Sequence, residues 1–300
     1  MPWLQLRINT PPEQAGALES ALQHGGALAV TMEDNADQPI FEPALGETPL
    51  WHETRVTALY NADINTHSTI EQLRKALPEK TRPLLEKPVW HILEDKDWER
   101  EWMTNYHPMQ CGDNFWICPS WTEPPCPEAV NLHLDPGLAF GTGTHPTTFL
   151  CVSWLARQNL GDLSVIDYGC GSGILGLACL LLGARKVTGV DIDPQALLAT
   201  QENARRNGLE SSRFPVCFPD RCPADEVDLV IANILAGPLV ELAPTLGALI
   251  KPGGRICLSG IIDSQVSAVK QAYNDSIEIL SIDSKEEWVC ITGVKKQHHQ

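Results

Sequence analysis

Two acids and an alternating set of glycines are the residues of this 300-residue chain whose spacing best suits chemistry. Asp167 closes a β-branched run (Val165, Ile166). Gly169, Gly171 and Gly173 follow at alternate positions, and a helix-forming run (Leu175, Leu177, Ala178, Leu180, Leu181) begins at once. The pattern predicts strand, tight turn and helix, with bare backbone at the turn and the helix's unpaired N–H groups aimed above it. A second strand, Lys186 to Val190, ends in Asp191. Parallel βαβ geometry places that carboxylate beside the turn, where it can accept from both hydroxyls of a ribose. Gly171-x-Gly173-x-x-Gly176, with Asp191 twenty positions after Gly171, also matches the dinucleotide fingerprint, so an NAD-dependent oxidoreductase is one reading of this stretch.

A second polar stretch runs from Leu134 to Thr148 and holds three glycines, four threonines, Phe140 and His145. Ordering such a loop costs conformational entropy that a bound ligand can offset. Pro146 suits a first helical position, which puts Thr147 and Thr148 in the first turn with their hydroxyls available to a ligand. His145 has two readings, a proton acceptor or a structural hydrogen-bond partner. Asp228 to Ala232 is apolar on both faces, as buried parallel strands are, and leads into Asn233-Ile234-Leu235.

The elements around these stretches fall into two groups. Before residue 95 the order is strand (Trp3 to Asn9), helix, strand (Ala27 to Met32), strand (Arg55 to Tyr60), helix and strand (Val89 to Leu93), the βαββαβ order of a ferredoxin-like split βαβ unit. Thr10-Pro11-Pro12-Glu13 has capping-box spacing at the first helix. Trp98 and Trp102 share one face of a helical pattern from Asp95 to Tyr106, which His107-Pro108 ends. Beyond Asp191 strand and helix alternate. Asp193-Pro194 opens a helix ending near Asn207-Gly208, Lys251-Pro252-Gly253-Gly254 precedes a strand from Arg255 to Leu258, and two closing strands read as a hairpin. The expected boundaries are 1–94 for a small α+β domain, 95–128 for a linker with a helix, and 129–300 for a doubly wound α/β domain of seven strands.

A net charge of −16 argues against bare nucleic acid as the main partner and favours a basic protein. No signal-peptide pattern and no apolar run of membrane-spanning length stands out, so a cytoplasmic protein without a membrane partner is expected. The ten cysteines include no C-x-x-C pair and read as reduced thiols, many of them core filler, with no metal site expected.

Asp167 to Gly173 resembles the first motif of the class I S-adenosylmethionine-dependent methyltransferases. Together with Ala139 to Thr148, Asp191-Ile192-Asp193-Pro194 and Asn233-Ile234-Leu235-Ala236, the chain is similar over nearly its whole length to the bacterial ribosomal protein L-eleven methyltransferase family. The likeness is specific in the C-terminal part and architectural in the N-terminal part. It implies an N-terminal substrate-recognition domain and a catalytic domain that, as a monomer, methylates lysine and N-terminal amino groups of one basic ribosomal protein, free or on the large subunit. It also implies S-adenosylmethionine as cofactor, held by Thr148, Gly169, Gly171, Asp191 and Asn233, with Phe140 lining the pocket and Ile192 covering the adenine. Asn233 is the residue expected to orient the incoming amine. Related amino methyltransferases follow the equivalent asparagine with two prolines and an aromatic; Ile234-Leu235 stand here instead.

Overall fold

Strict alternation builds the N-terminal unit. The computed structural model describes residues 2–36, 38, 40, 48–94, 106–135 and 143–297. It divides into two units, Met1–Met103 and Thr104–Gln300. In β1 (Trp3–Thr10) Leu6 and Ile8 point inward, and in β3 (Thr54–Asn61) Val56, Ala58 and Tyr60 do the same. Helices α1 (Pro12–His24) and α2 (Thr66–Ala76) cover that face through Leu18, Leu22 and Leu73. With β2 (Ala29–Asp34) and β4 (Val89–Leu93) the sheet order is β2-β3-β1-β4, every neighbouring pair antiparallel, which is the topology of the expected split βαβ unit. The capping box at Thr10 does not form. Thr10 is the last residue of β1, Pro11 is the N-cap without a side-chain bond, and Pro12 takes the first helical position. The strand ladder claims Thr10 before the helix can.

In the second unit the hydrophobic runs are two-sided. Val165 of β8 (Ser164–Tyr168) enters one apolar cluster and Ile166 the other; Leu229 and Ile231 of β11 (Val227–Asn233) face the first, Val230 and Ala232 the second. Strands buried on both faces need helices on both sides. Helices α3 (Pro146–Leu155) and α4 (Ile174–Leu181) pack on one face. Helices α6 (Ala236–Glu241), α7 (Ala243–Ala248) and α8 (Val266–Tyr273) pack on the other. With β9 (Lys186–Val190), β10 (Val216–Cys217), β12 (Ile250–Ile262), β13 (Ile277–Lys285) and β14 (Trp288–Lys295), the order is β10-β9-β8-β11-β12-β14-β13. The first five strands pair in parallel; β14 runs antiparallel to both its neighbours. The closing hairpin and the doubly wound seven-stranded sheet are as expected from the sequence.

Two expectations need revision. The strand predicted from Arg255 begins at Ile250, and Lys251-Pro252-Gly253-Gly254 is a bulge inside it. Val227 faces Ile250 while Leu229 faces Arg255, and Gly253 takes φ 77°. The stretch read as linker, 95–128, also contains strands. In β5 (Met109–Gly112) and β6 (Phe115–Cys118), which form a small sheet with β7 (Val130–His133), Cys111, Phe115 and Ile117 are buried with Leu150 and Leu155 of α3. Four-residue strands separated only by Asp113-Asn114 carry too little period to be read as strands without their tertiary partners. The expected Trp98/Trp102 helix lies outside the described residues, as does Phe140. No helix among the described residues is long and apolar enough to cross a membrane.

Candidate active site

Strand order reverses at β8, which pairs with β9 on one side and β11 on the other. In an open parallel sheet that reversal leaves a crevice beyond the carboxyl ends of the two central strands, because their following helices go to opposite faces. The glycine turn leaves β8 there, and Asn233 ends β11 there.

The turn has the conformation that its glycines permit. Gly169, Gly171 and Gly173 all take positive φ (78°, 54° and 80°). At Gly169 close approach adds to the conformational demand, since a Cβ would stand 2.2 Å from Cγ2 of Ile234. The N–H groups of Gly169 and Cys170 both donate to the Val190 carbonyl (2.7 and 3.0 Å), which ties the turn to the end of β9. From below, Thr200 Oγ1 of α5 (Pro194–Arg206) donates to the Gly171 carbonyl (3.0 Å) and Asn203 Nδ2 to that of Ser172 (2.9 Å).

Asp191 sits where the sequence places it. Its Oδ2 accepts from the Gly171 N–H (2.9 Å) and its Oδ1 from the Asp193 N–H (3.0 Å). Each carboxylate oxygen carries two acceptor positions, so both retain one for a ligand hydroxyl while the backbone fixes their direction. Ile192, next to it, is 82% exposed. Asp193 caps α5 by accepting from the Gln195 N–H (2.8 Å), as expected from the sequence.

Asp167, in β8 just before the turn, is the buried acid of the site. Its side chain is buried; Oδ2 accepts from the Gly176 N–H (2.8 Å), while Oδ1 has no partner. Burial raises its pKa to about 7, against the Gly176 N–H, which lowers it, and with Asp191, which adds to the rise. The unfolded carboxyl titrates near 3.8. Between those values the folded state holds the proton more tightly, so this contribution to stability is complete below 3.8 and is lost as pH rises through 7. From about pH 5 to about pH 8 the loss is on the order of 3 kcal/mol. Urea unfolding at the two pH values should therefore show Asp167→Asn gaining stability over the parent chain at the higher pH and little at the lower; parallel behaviour at both would refute the assignment.

On the β11 side, Asn233 Nδ2 donates to Thr148 Oγ1 (3.4 Å), and Thr148 is fully buried in the first turn of α3. His145 is the N-cap of that helix. Its Nδ1 lies 2.8 Å from Thr147 Oγ1 and accepts from the Thr147 N–H, and its ring meets Trp288 edge-on with centroids 4.9 Å apart. This geometry corresponds to the structural alternative for His145. The structure thus gathers Thr148, Gly169, Gly171, Asp191, Ile192 and Asn233 at one end of the sheet. Gly260 (φ 85°) was not singled out in the sequence; a Cβ on it would meet the Ile234 carbonyl at 2.2 Å, so Ile234 is held between two bare backbones. An isolated glycine followed by Ile261-Ile262 gives no local sign of that contact.

A seven-stranded sheet with its last strand reversed and a glycine turn and acid at the reversal of strand order define a class I methyltransferase. The chain belongs to the PrmA family, ribosomal protein L11 methyltransferases, whose model matches residues 2–296. It is 64% identical over 296 residues to the ribosomal protein L11 methyltransferase of Saccharophagus degradans, covering 99% of this chain and all of that one. With the protein of the same name from Teredinibacter turnerae the identity is 63% over 296 residues, covering 99% and 98%. Among solved structures, the ribosomal protein L11 methylase of Lactobacillus delbrueckii subsp. bulgaricus superposes with a TM-score of 0.59 at 31% identity, covering 64% of this chain and all of that one. The oxidoreductase reading of Gly171 to Gly176 is set aside by this membership and by the reversed β14.

The crevice also fits S-adenosylmethionine on its own geometry. The bare backbone at Gly169 admits close approach, Asp191 keeps acceptor positions for a ribose, and the unpartnered buried oxygen of Asp167 suits an ammonium group.

Proposed function

We propose that this chain transfers methyl groups from S-adenosylmethionine to lysine side-chain and N-terminal amino groups of ribosomal protein L11. The observation that carries the reading is the match to the family over residues 2–296, and the Asp191 carboxylate held by the Gly171 N–H beside the glycine turn supports it. S-adenosylmethionine supplies a methyl group on a positively charged sulfur, open to in-line displacement. Gly169 and Gly171 let the main chain approach its amino-acid end, and Asp191 accepts from the ribose hydroxyls. Ile192 covers the adenine. Asp167 takes the ammonium through Oδ1, so cofactor affinity rises with pH up to about 7, where that carboxyl ionises. Thr148 lines the pocket.

The acceptor amine must first lose its proton, since an ammonium has no lone pair and a free lysine titrates near 10.4. Desolvation in the crevice lowers that value. Asn233 then orients the amine: its amide oxygen accepts from the N–H while the Thr148 hydroxyl holds its other end. The nitrogen lone pair forms the new C–N bond, the C–S electrons return to sulfur, and the extra amine proton leaves to solvent. The N-terminal unit recognises the substrate, and the chain's net charge of −16 attracts a basic one.

The test is labelled methyl transfer from S-adenosylmethionine to purified, unmethylated ribosomal protein L11, followed by mass spectrometry of the product. Label confined to amino groups of that protein is expected. No label, or label on carboxyl or guanidinium groups, overturns the proposal.

A further inference from the structure

Three cysteines far apart in sequence meet in the core beneath α3. Cys151 lies in α3, Cys257 in β12 and Cys290 in β14, and all three are buried to 1% exposure or less. Cys257 Sγ stands 3.9 Å from Cys151 Sγ and 3.5 Å from Cys290 Sγ, and all three sulfurs lie within 4.8 Å of one another. They form the only such cluster of potential metal ligands among the described residues, and it includes no histidine or carboxylate. A centre bound to sulfur at about 2.3 Å spans sulfur separations of roughly 3.5 to 4.0 Å, for bond angles from pyramidal to trigonal. Two sides of the triangle, 3.5 and 3.9 Å, already have that size, and the third is no longer than 4.8 Å.

The charge of the filled site selects the ligand. Three thiolates around a divalent zinc ion leave one net negative charge and a missing fourth ligand; around monovalent copper they leave two negative charges. Uncompensated charge in a dry core is costly. A trivalent thiophilic centre leaves none and needs only three ligands.

We propose that Cys151, Cys257 and Cys290 form a tridentate trap for a trivalent metalloid of the arsenite class. Arsenous acid exchanges its three hydroxyls for the three sulfurs. Three As–O bonds break, three As–S bonds form, each thiol proton leaves with a hydroxyl as water, and arsenic stays trivalent throughout. Filling the site staples α3 to β12 and β14. Because the sulfurs are buried, capture proceeds through local opening of the helix.

The experiment uses the reduced full chain and arsenite as the probe. Intact-mass spectrometry is expected to show one arsenic per chain in place of three hydrogens, with three of the ten thiols protected from alkylation and mapped to Cys151, Cys257 and Cys290. The unfolding midpoint should rise by several degrees. Cys151→Ala, Cys257→Ala and Cys290→Ala should each abolish three-thiol protection, and any one that folds suffices; Cys217→Ser should retain it. Absence of capture, protection mapped to other thiols such as Cys217 and Cys222, capture persisting in the alanine variants, or uptake of monovalent copper with refusal of arsenite would each overturn the proposal.

Discussion

Asn233→Ala leaves the chain folded and able to bind S-adenosylmethionine, while methyl transfer falls a hundredfold or more. The side chain is only partly buried, and removing it costs the fold about 1 kcal/mol or less, because its one bond, to Thr148, is long at 3.4 Å. The proposed loss is one of positioning. An amine misplaced by about an ångström forfeits roughly a hundredfold in rate, since in-line displacement needs its lone pair aligned with the breaking C–S bond. Asn233→Asp keeps an acceptor but loses the donor to Thr148, and should fall between the two. The decisive comparison sets cofactor affinity by calorimetry beside single-turnover transfer. Unchanged transfer in Asn233→Ala removes the role assigned to this residue, and loss of cofactor affinity in step with the rate makes it a binding residue instead.

Gly169→Ala should act on the other half of the reaction and do so through two separable causes. A side chain at φ 78° costs about 1 to 2 kcal/mol. The Cβ would also stand 2.2 Å from Ile234 Cγ2, far inside contact distance, so either the turn or the segment after Asn233 must move. Cofactor affinity is expected to drop at least a hundredfold and the unfolding midpoint by several degrees. Gly208→Ala is the control. Gly208 has a similar φ of 67°, at the end of α5, but a Cβ there meets nothing within 4 Å. That variant should lose about 1 kcal/mol of stability and keep its cofactor affinity. Equal effects of the two substitutions on cofactor binding would show that backbone strain alone, and not the approach of Ile234, governs the site.

The parts of the site that were legible in the sequence are those where one residue's local duty shows in its type. Glycines at alternate positions after a β-branched run specify the turn, an acid closing the next strand specifies Asp191, and Asp193-Pro194 is a helix start that the structure reproduces. Local signals failed where two duties competed or where the signal was short. Thr10 had the spacing of a cap yet pairs in β1, and the strands at Met109–Gly112 and Phe115–Cys118 are too brief to show a period.

By itself the sequence determined the class of sheet, the glycine turn, the acid beside it and the order of the motifs, because hydrophobic period and backbone permissiveness act over a few residues. Only the tertiary structure decided how far Asp167 is held from water, with one oxygen paired and one left over, and that Ile234 lies between Gly169 and Gly260. It alone brought Cys151, Cys257 and Cys290 into one triangle across gaps of 106 and 33 positions. Burial and convergence are properties of packing between strands and helices distant in the chain, and no window of neighbouring residues carries them.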